Sequence, residues 1–377
     1  MHLETFRALA DAAPPFASVT LDVSRVDRAA EDDVDRRWRA VADTLTGLGA
    51  PDDLVDAIGE RARSETGRGG EWTSVVVGTS PDTLQDALVP GRPVRDDGTW
   101  GPVPQLISAV RGLAGLVRHA VVRIDRTGAD IDLAGGAEPT HTPDNVHEVV
   151  EGGHDVVHKV PAGGWSQRRF QMRVEDSWER NAEAVADALV RLVRAQHPEV
   201  VLVMGDVRAA GLLERYSVPE LAERLVRLDT GGRAAGTSQT AEDEAVAAAL
   251  AAHRAAREAA LVDRFREQLN RQQDAVDGRE EVLEVLDRGQ ADEVLLVDDL
   301  GSESTVIVDG ASVPADAALV WAAVRTRAGV TLVDPHQVEL RDGVGALLRW
   351  SDQATPHGMT PAMPGHGEAP GMAENPE

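Results

Sequence analysis

Apolar residues recur along this chain with two different periods, and the points where the period changes mark its organisation. Over 18–23, Val19, Leu21 and Val23 alternate with polar residues, the two-residue period of a half-buried strand. Over 32–48, Val34, Trp38, Val41, Ala42 and Leu45 follow helical spacing behind acidic residues that suit a helix start. Residues 72–77 read as a strand, 90–104 with its prolines and glycines as a loop, and 106–116 as a helix. Phe6, Phe16 and Trp38 are expected in the core.

A second unit opens near His119. Residues 121–125 and 130–133 flank Arg126-Thr127-Gly128-Ala129, a hairpin with glycine at its turn. A polar stretch, 135–158, follows. Phe170, Val174, Trp178, Ala182, Val185, Leu189 and Val193 then hold one helical face for about 28 residues, roughly 42 Å. A strand over 199–204 and a helix over 207–216 make this unit an α/β layer. Residues 230–241 read as a linker, and 242–274 as one long alanine-rich helix. Further helix and strand patterns alternate to Trp350, a compact α/β/α unit. The Pro-, Gly- and Met-rich remainder lacks periodicity. The predicted architecture is therefore α/β and multidomain: an N-terminal α+β domain (1–117), a middle domain (118–229), a linker (230–241), a C-terminal α/β/α sandwich (242–350) and a disordered tail (351–377).

Composition narrows the functional classes. The 377 residues hold no cysteine, which excludes disulfides, thiolate metal sites and a cysteine nucleophile. No long apolar run is present, so no membrane partner is expected and a soluble, cytoplasmic, monomeric protein is. A formal charge of −26 argues against general nucleic-acid binding, which needs many phosphate-neutralising cations. Contact with RNA has to be confined to a local basic patch.

One segment meets that condition. Between His154 and Arg173 the chain carries Lys159, Arg168, Arg169 and Arg173 against the single acid Asp155. Inside it, Gly163-Gly164 presents Trp165, in a chain with only 3% aromatics. Paired glycines allow a tight turn or close backbone approach. Ser166 is suited to cap the following helix, whose N-terminus favours anions. Tryptophan with arginine suits stacking on unpaired bases and contact with phosphates. The competing reading, a structural turn with Trp165 packed on its own domain, does not call for the surrounding cations.

Other candidates are weaker. His154 and His158 are four apart, with His141 and His147 upstream, but Gly152, Gly153 and Pro161 disfavour the helix that zinc ligation at this spacing needs. No metal is expected. Asp298-Asp299 after an apolar strand is a carboxylate pair of a kind common in a chain with 64 acids. No nucleotide-binding glycine motif or nucleophile elbow occurs, and no cofactor is implied.

Gly163-Gly164-Trp165-Ser166, followed by Arg169-Phe170, resembles the Gly-Gly-Gln-Ser-x-x-Arg-Phe segment of archaeo-eukaryotic class-1 peptide-chain release factors. The order of units over residues 1–350 is similar too, in particular to the bacterial branch found in actinobacteria, which includes relatives of the ribosome hibernation factor Balon. The resemblance implies a ribonuclease-H-like middle domain and an occupant of the ribosomal A site. Its middle-domain loop would reach the peptidyl-transferase centre, and its C-terminal domain would meet a translational GTPase, elongation factor Tu in Balon-type factors. Carried over, Gly163, Gly164, Ser166, Arg169 and Phe170 match family positions, and Lys159, Gln167 and Arg168 complete a ribosomal-RNA contact with Trp165. Trp165 departs from the pattern. Catalytic release factors have glutamine there, which helps place water at the peptidyl-tRNA ester, whereas an indole offers one N–H donor and more bulk. The expectation is a non-catalytic occupant of idle or stressed ribosomes. The alternative is a peptidyl-tRNA hydrolase, a release or rescue factor, using Gln167. A third class, a nuclease or free-standing RNA-fold module, lacks an acidic metal cluster.

Overall fold

The computed structural model describes residues 3–24, 30–64, 71–135, 147–151, 164–229, 239–299 and 304–356; the side chains of 30–32, 147–151, 164–177 and 239 are not part of that description. The first sheet is antiparallel, in the spatial order β3-β2-β1-β4. Its strands are β1 (Phe16–Asp22), β2 (Trp72–Gly78), β3 (Gln85–Pro90) and β4 (Asp97–Gly101). Between β1 and β2 run α1 (Ala30–Gly47) and α2 (Asp52–Ser64), which pack Trp38, Val41, Leu45, Leu54 and Ile58 on one sheet face. A 3-10 helix (Glu4–Leu9) and α3 (Ile107–Ala114) cover the other.

Two expectations change here. The alternation over 18–23 predicts one covered face, yet β1 is buried along its whole length. Its polar positions are accommodated by local bonding: the buried Ser18 hydroxyl accepts a hydrogen bond from the Gln105 amide at 3.0 Å. The stretch 90–104 contains β4, a strand that its glycines hide from sequence reading. Gly98 lets β4 pass under α1, because a Cβ there would stand 2.9 Å from Val41 Cγ1. Pairing with β1 outweighs poor intrinsic strand propensity.

The middle sheet has the order β7-β6-β5-β8-β9. It is built from β5 (His119–Asp125), β6 (Gly128–Ala134), β7 (His147–Glu151), β8 (Val200–Gly205) and β9 (Leu225–Arg227). The first three form an antiparallel meander, and β8 and β9 extend it in parallel. That is the topology the ribonuclease-H-like expectation requires. Within the polar stretch expected over 135–158, residues 147–151 are a strand. Helices α4 (Gly164–Gln196), α5 (Val207–Tyr216) and the short α6 (Pro219–Ala222) cover one face. Gly205 turns the chain from β8 into α5 with a positive φ, and Asp206 caps α5 by accepting from the amides of Arg208 and Ala209.

The third sheet has the order β10-β15-β11-β14, with β11 and β14 parallel. Its strands are β10 (Ala275–Asp277), β11 (Ala291–Val297), β14 (Gly329–Val333) and β15 (Val344–Leu348). Helices α8 (Arg279–Asp287) and α9 (Ala315–Thr326) pack on one face, and α7 (Gln239–Asn270) lies on the other, so the α/β/α sandwich is present. A separate hairpin, β12 (Thr305–Val308) with β13 (Ala311–Pro314), precedes α9. No described helix is long and apolar enough to cross a membrane.

The first and last domains share one core. A single apolar cluster runs from Phe6, Phe16, Val75 and Val89 to Val282, Leu319, Trp321 and Val330. Phe16 meets Trp321 edge-on, with ring centroids 5.3 Å apart. At the rim, the Arg111 guanidinium of α3 donates to Asp298 after β11 at 2.8 Å. Residues 351–356, expected to open a disordered tail, are held in place. Arg288 holds Asp352 through both carboxylate oxygens at 2.7 Å, and the buried Gln290 amide donates to Thr355 at 2.8 Å. Residues 357–377 lie outside the described residues.

Because Trp321 belongs to both domains, Trp321→Ala is expected to lower stability by about 3–5 kcal/mol. Amide exchange in β1 and β11 should accelerate together. Acceleration confined to β11 would mean two independent domains.

Candidate functional site

The basic, Trp-containing segment falls at the start of α4. Lys159 and Gly163 lie outside the described residues; Gly164, Trp165, Ser166, Gln167, Arg168, Arg169 and Phe170 form the first turns of the helix. The sequence reading placed Trp165 on a loop and Ser166 at the cap. In the structure the helix begins at Gly164, so both residues are helical. Glycine costs only about 1 kcal/mol in a helix, and a long cooperative helix absorbs that at its end.

This shift decides which positions act together. At 100° per residue, positions 165, 168 and 169 fall on one stripe, and position 167 lies 200° round from 165, on the other side. Trp165, Arg168 and Arg169 therefore form one group by register, and Gln167 does not join it. The electrostatics are unusual for a helix start. A helix N-terminus carries about half a positive charge, so each cation placed there is unfavourable by about 0.3–1 kcal/mol. Acidic residues are absent from the first turn of α4. An arrangement that destabilises the free helix becomes favourable against an anionic surface.

The other end of α4 is packed on the sheet. Val185, Ala186, Leu189 and Val193 bury against β5, β6 and β8, and Ala182 is buried beside them in sequence. At the edge of this contact, Arg208 of α5 stacks over the Trp178 ring, 5.0 Å from its centroid. Asn181, 8% exposed, donates to the Arg126 carbonyl in the β5–β6 turn at 2.8 Å.

Sequence reasoning missed the role of α7. Val246, Ala249 and Leu250 cover the second face of the middle sheet, while Val262, Phe265 and Leu269 cover the C-terminal sheet. Residues 251–260 between them include no buried position. The helix therefore joins two domains. Its first turn is fixed by Glu242, 3% exposed, which accepts from Arg123 of β5 at 2.9 Å; Arg123 also donates to Asp132 of β6 at 2.6 Å. Burial opposes the Arg123 charge, but bonds to Glu242 and then Asp132 outweigh it and hold the guanidinium above its ordinary value. Farther along, Arg254 donates to the Gly115 carbonyl at 2.7 Å and Arg257 to Glu199 at 2.5 Å. These contacts border a cleft of about 680 Å³ where the three domains meet. The signal available in sequence was the change of apolar register along α7, easily lost among its alanines.

The remaining candidates separate from the site. Asp298 is held by Arg111, far in function from an acid–base pair, and Asp299 follows it with its amide bonded to the Val297 carbonyl. His141, His154 and His158 lie outside the described residues, and His147 lies on β7. Among the described residues no group of three or more histidine and acidic side chains is arranged to hold a metal ion.

Residues 118–271 match the model described as bacterial archaeo-eukaryotic release factor family 2, a span that takes in the middle domain and all of α7. An uncharacterized protein of Mycobacterium tuberculosis, found in two strains, is 29% identical over 374 residues, covering 93% of this chain and 97% of its own length. Among solved structures, the archaeal termination factor aRF1 matches at 17% identity and a TM-score of 0.23, covering 90% of this chain and 94% of its own. Yeast Dom34, described as a termination-like factor interacting with Hbs1, matches at 11% and 0.42, covering 76% and 81%. Archaeal Pelota, from a ribosome-bound complex with ABCE1, matches at 15% and 0.36, covering 93% and 95%. Scores this low establish no residue-level correspondence.

Glu242→Ala leaves the enclosed Arg123 with Asp132 alone and is expected to cost about 1–3 kcal/mol in urea unfolding. A change within a few tenths of a kcal/mol would remove this pair from the account of how α7 is held.

Proposed function

We propose, from the premise that residues 118–271 belong to the bacterial archaeo-eukaryotic release factor family, that this release-factor-like protein binds the ribosomal A site and shields the peptidyl-transferase centre without hydrolysing peptidyl-tRNA. The observation that carries this reading is Trp165, standing where the catalytic members it resembles have glutamine. It shares a helical stripe with Arg168 and Arg169. In this arrangement the indole stacks on an unpaired base and the two arginines neutralise phosphates. Lys159, Gly163, Gly164, Ser166, Gln167 and Phe170 complete the RNA-facing segment. Gln167 has a side chain able to orient water, but its position on the opposite side of α4 from Trp165 counts against the hydrolase alternative.

Idle or stressed ribosomes, with an empty A site, are the occupant's natural target, as in Balon-type hibernation. The overall charge of −26 opposes unaided approach to RNA. Delivery by a translational GTPase, elongation factor Tu, acting through the C-terminal domain resolves that conflict. Binding would then begin with a protein–protein contact and end with the basic tip.

Co-sedimentation with vacant ribosomes tests this reading. The native chain should pellet with ribosomes, and Trp165→Ala with Arg168→Ala and Arg169→Ala should lose binding. Removing the two arginines should also lower the slope of log affinity against log salt by about 1.5, as for two lost phosphate contacts. Ribosomes carrying peptidyl-tRNA should show no release. Release that disappears in Gln167→Ala would replace the shield with a hydrolase.

A further inference from the structure

The proposed contact segment opens α4, about three to four turns before Trp178, the first residue of that helix whose side chain is described, so the direction of the helix decides where the segment lies. From position 178 to position 165 the helix advances about 20 Å at 1.5 Å per residue. A tilt of 10° at the point of departure would move position 165 by about 3.5 Å over that length. That displacement is as large as a base-stacking distance, and among the described side chains of α4 the buried aliphatic ones run from Ala182 to Val193. Hydrophobic contacts are non-directional. They hold the helix on the sheet without fixing its angle.

Two directional contacts sit at the point of departure, on different neighbours. On one side, Arg208 projects from the first turn of α5 and stacks on Trp178 at 5.0 Å. On the other, the Asn181 amide donates to the Arg126 carbonyl at the β5–β6 turn, in a buried site. Residues 178 and 181 are three apart, so both contacts act on one turn of α4. Their supports are themselves firm. Asp206 caps α5 beneath Arg208, and the Asp125 carboxylate accepts from the amides of Thr127 and Gly128 and so closes the turn that offers Arg126.

We infer that Trp178, Arg208 and Asn181 are positioning residues: a clamp that fixes the angle at which α4 leaves the middle domain and thereby the place where residues 164–170 are presented. In a chain with 3% aromatics, a tryptophan half-exposed at this edge and covered by an arginine is better explained by directional stacking than by core filling. Arg208 is itself exposed, so its removal leaves the aliphatic core untouched. The inference rests on the proposed role of the α4 tip for its purpose, but its geometry can be measured without a ribosome.

The absence of cysteine makes that measurement direct. Spin labels on Gln171→Cys in α4 and Glu214→Cys in α5 report the angle between the helices as a distance distribution. Trp178→Ala and Arg208→Ala should each broaden the distribution by several ångströms, while circular dichroism shows the helices intact. Trp178→Phe and Arg208→Lys, which keep a ring and a cation, should restore most of the narrow distribution. Asn181→Ala should broaden it as well. Ribosome affinity of Arg208→Ala should fall about tenfold, the loss expected when a docking segment is no longer preorganised. An unchanged distribution in both Trp178→Ala and Arg208→Ala would overturn the clamp. A broadened distribution with undiminished ribosome binding would keep the clamp and remove the ribosomal role of the α4 tip.

Discussion

Everything in this molecule depends on one continuous helix having to satisfy two different sheets. The 32 residues of α7 bury one set of apolar side chains on the middle sheet and another on the C-terminal sheet, with an unburied span between. An α-helix transmits rotation and translation along its axis, so fixing either end constrains the other. Glu242 fixes the first end against Arg123, and Phe265 fixes the second by packing against β15 at Gly345, where a Cβ would stand 2.5 Å from the ring. The middle domain is therefore mounted on the rest through a helical rod, with the Arg254 hydrogen bond to Gly115 and the Arg257–Glu199 ion pair along its length. The family match ends at residue 271, one residue past this helix, and so treats the rod as part of the middle domain.

The charge distribution follows the same logic of support and exposure. The acidic surface keeps the chain soluble and repels polyanions at long range, but screening confines that repulsion to roughly 8–10 Å in physiological salt. Within that range the local sign of charge decides, and Arg168 and Arg169 stand in the first turns of α4 with no acid in its first turn.

Much of the fold was legible because its strong elements are periodic over many turns. The α4 face, buried from Ala182 to Val193, and the β5–β6 hairpin at Thr127-Gly128 announced themselves by spacing and turn chemistry. What escaped was structure imposed from outside the segment. Strand β4 is rich in glycine and is a strand because β1 and α1 enclose it; β1 is buried on both faces because the 3-10 helix and α3, with the C-terminal domain behind them, cover the second. The start of α4 was misread by two residues, since paired glycines permit a loop and a helix alike. That small shift moves Trp165 from a loop tip onto the stripe of Arg168 and Arg169. The clamp at Trp178 was invisible because Arg208 lies thirty positions away, and spacing along the chain says nothing of such a pair.

The core shared through Phe16 and Trp321 also carries a consequence for how the chain is made. Synthesis delivers β1 to β4 with their covering 3-10 helix and α3 first, but the apolar residues around Phe16 meet Trp321 and the rest of their cluster only when residues 276–348 have emerged. Part of this core therefore waits through the making of the middle domain and α7. Local order forms early, while completion is postponed to the last strand, β15. A chain stopped before residue 276 leaves the apolar surface that this shared cluster would bury exposed to other chains.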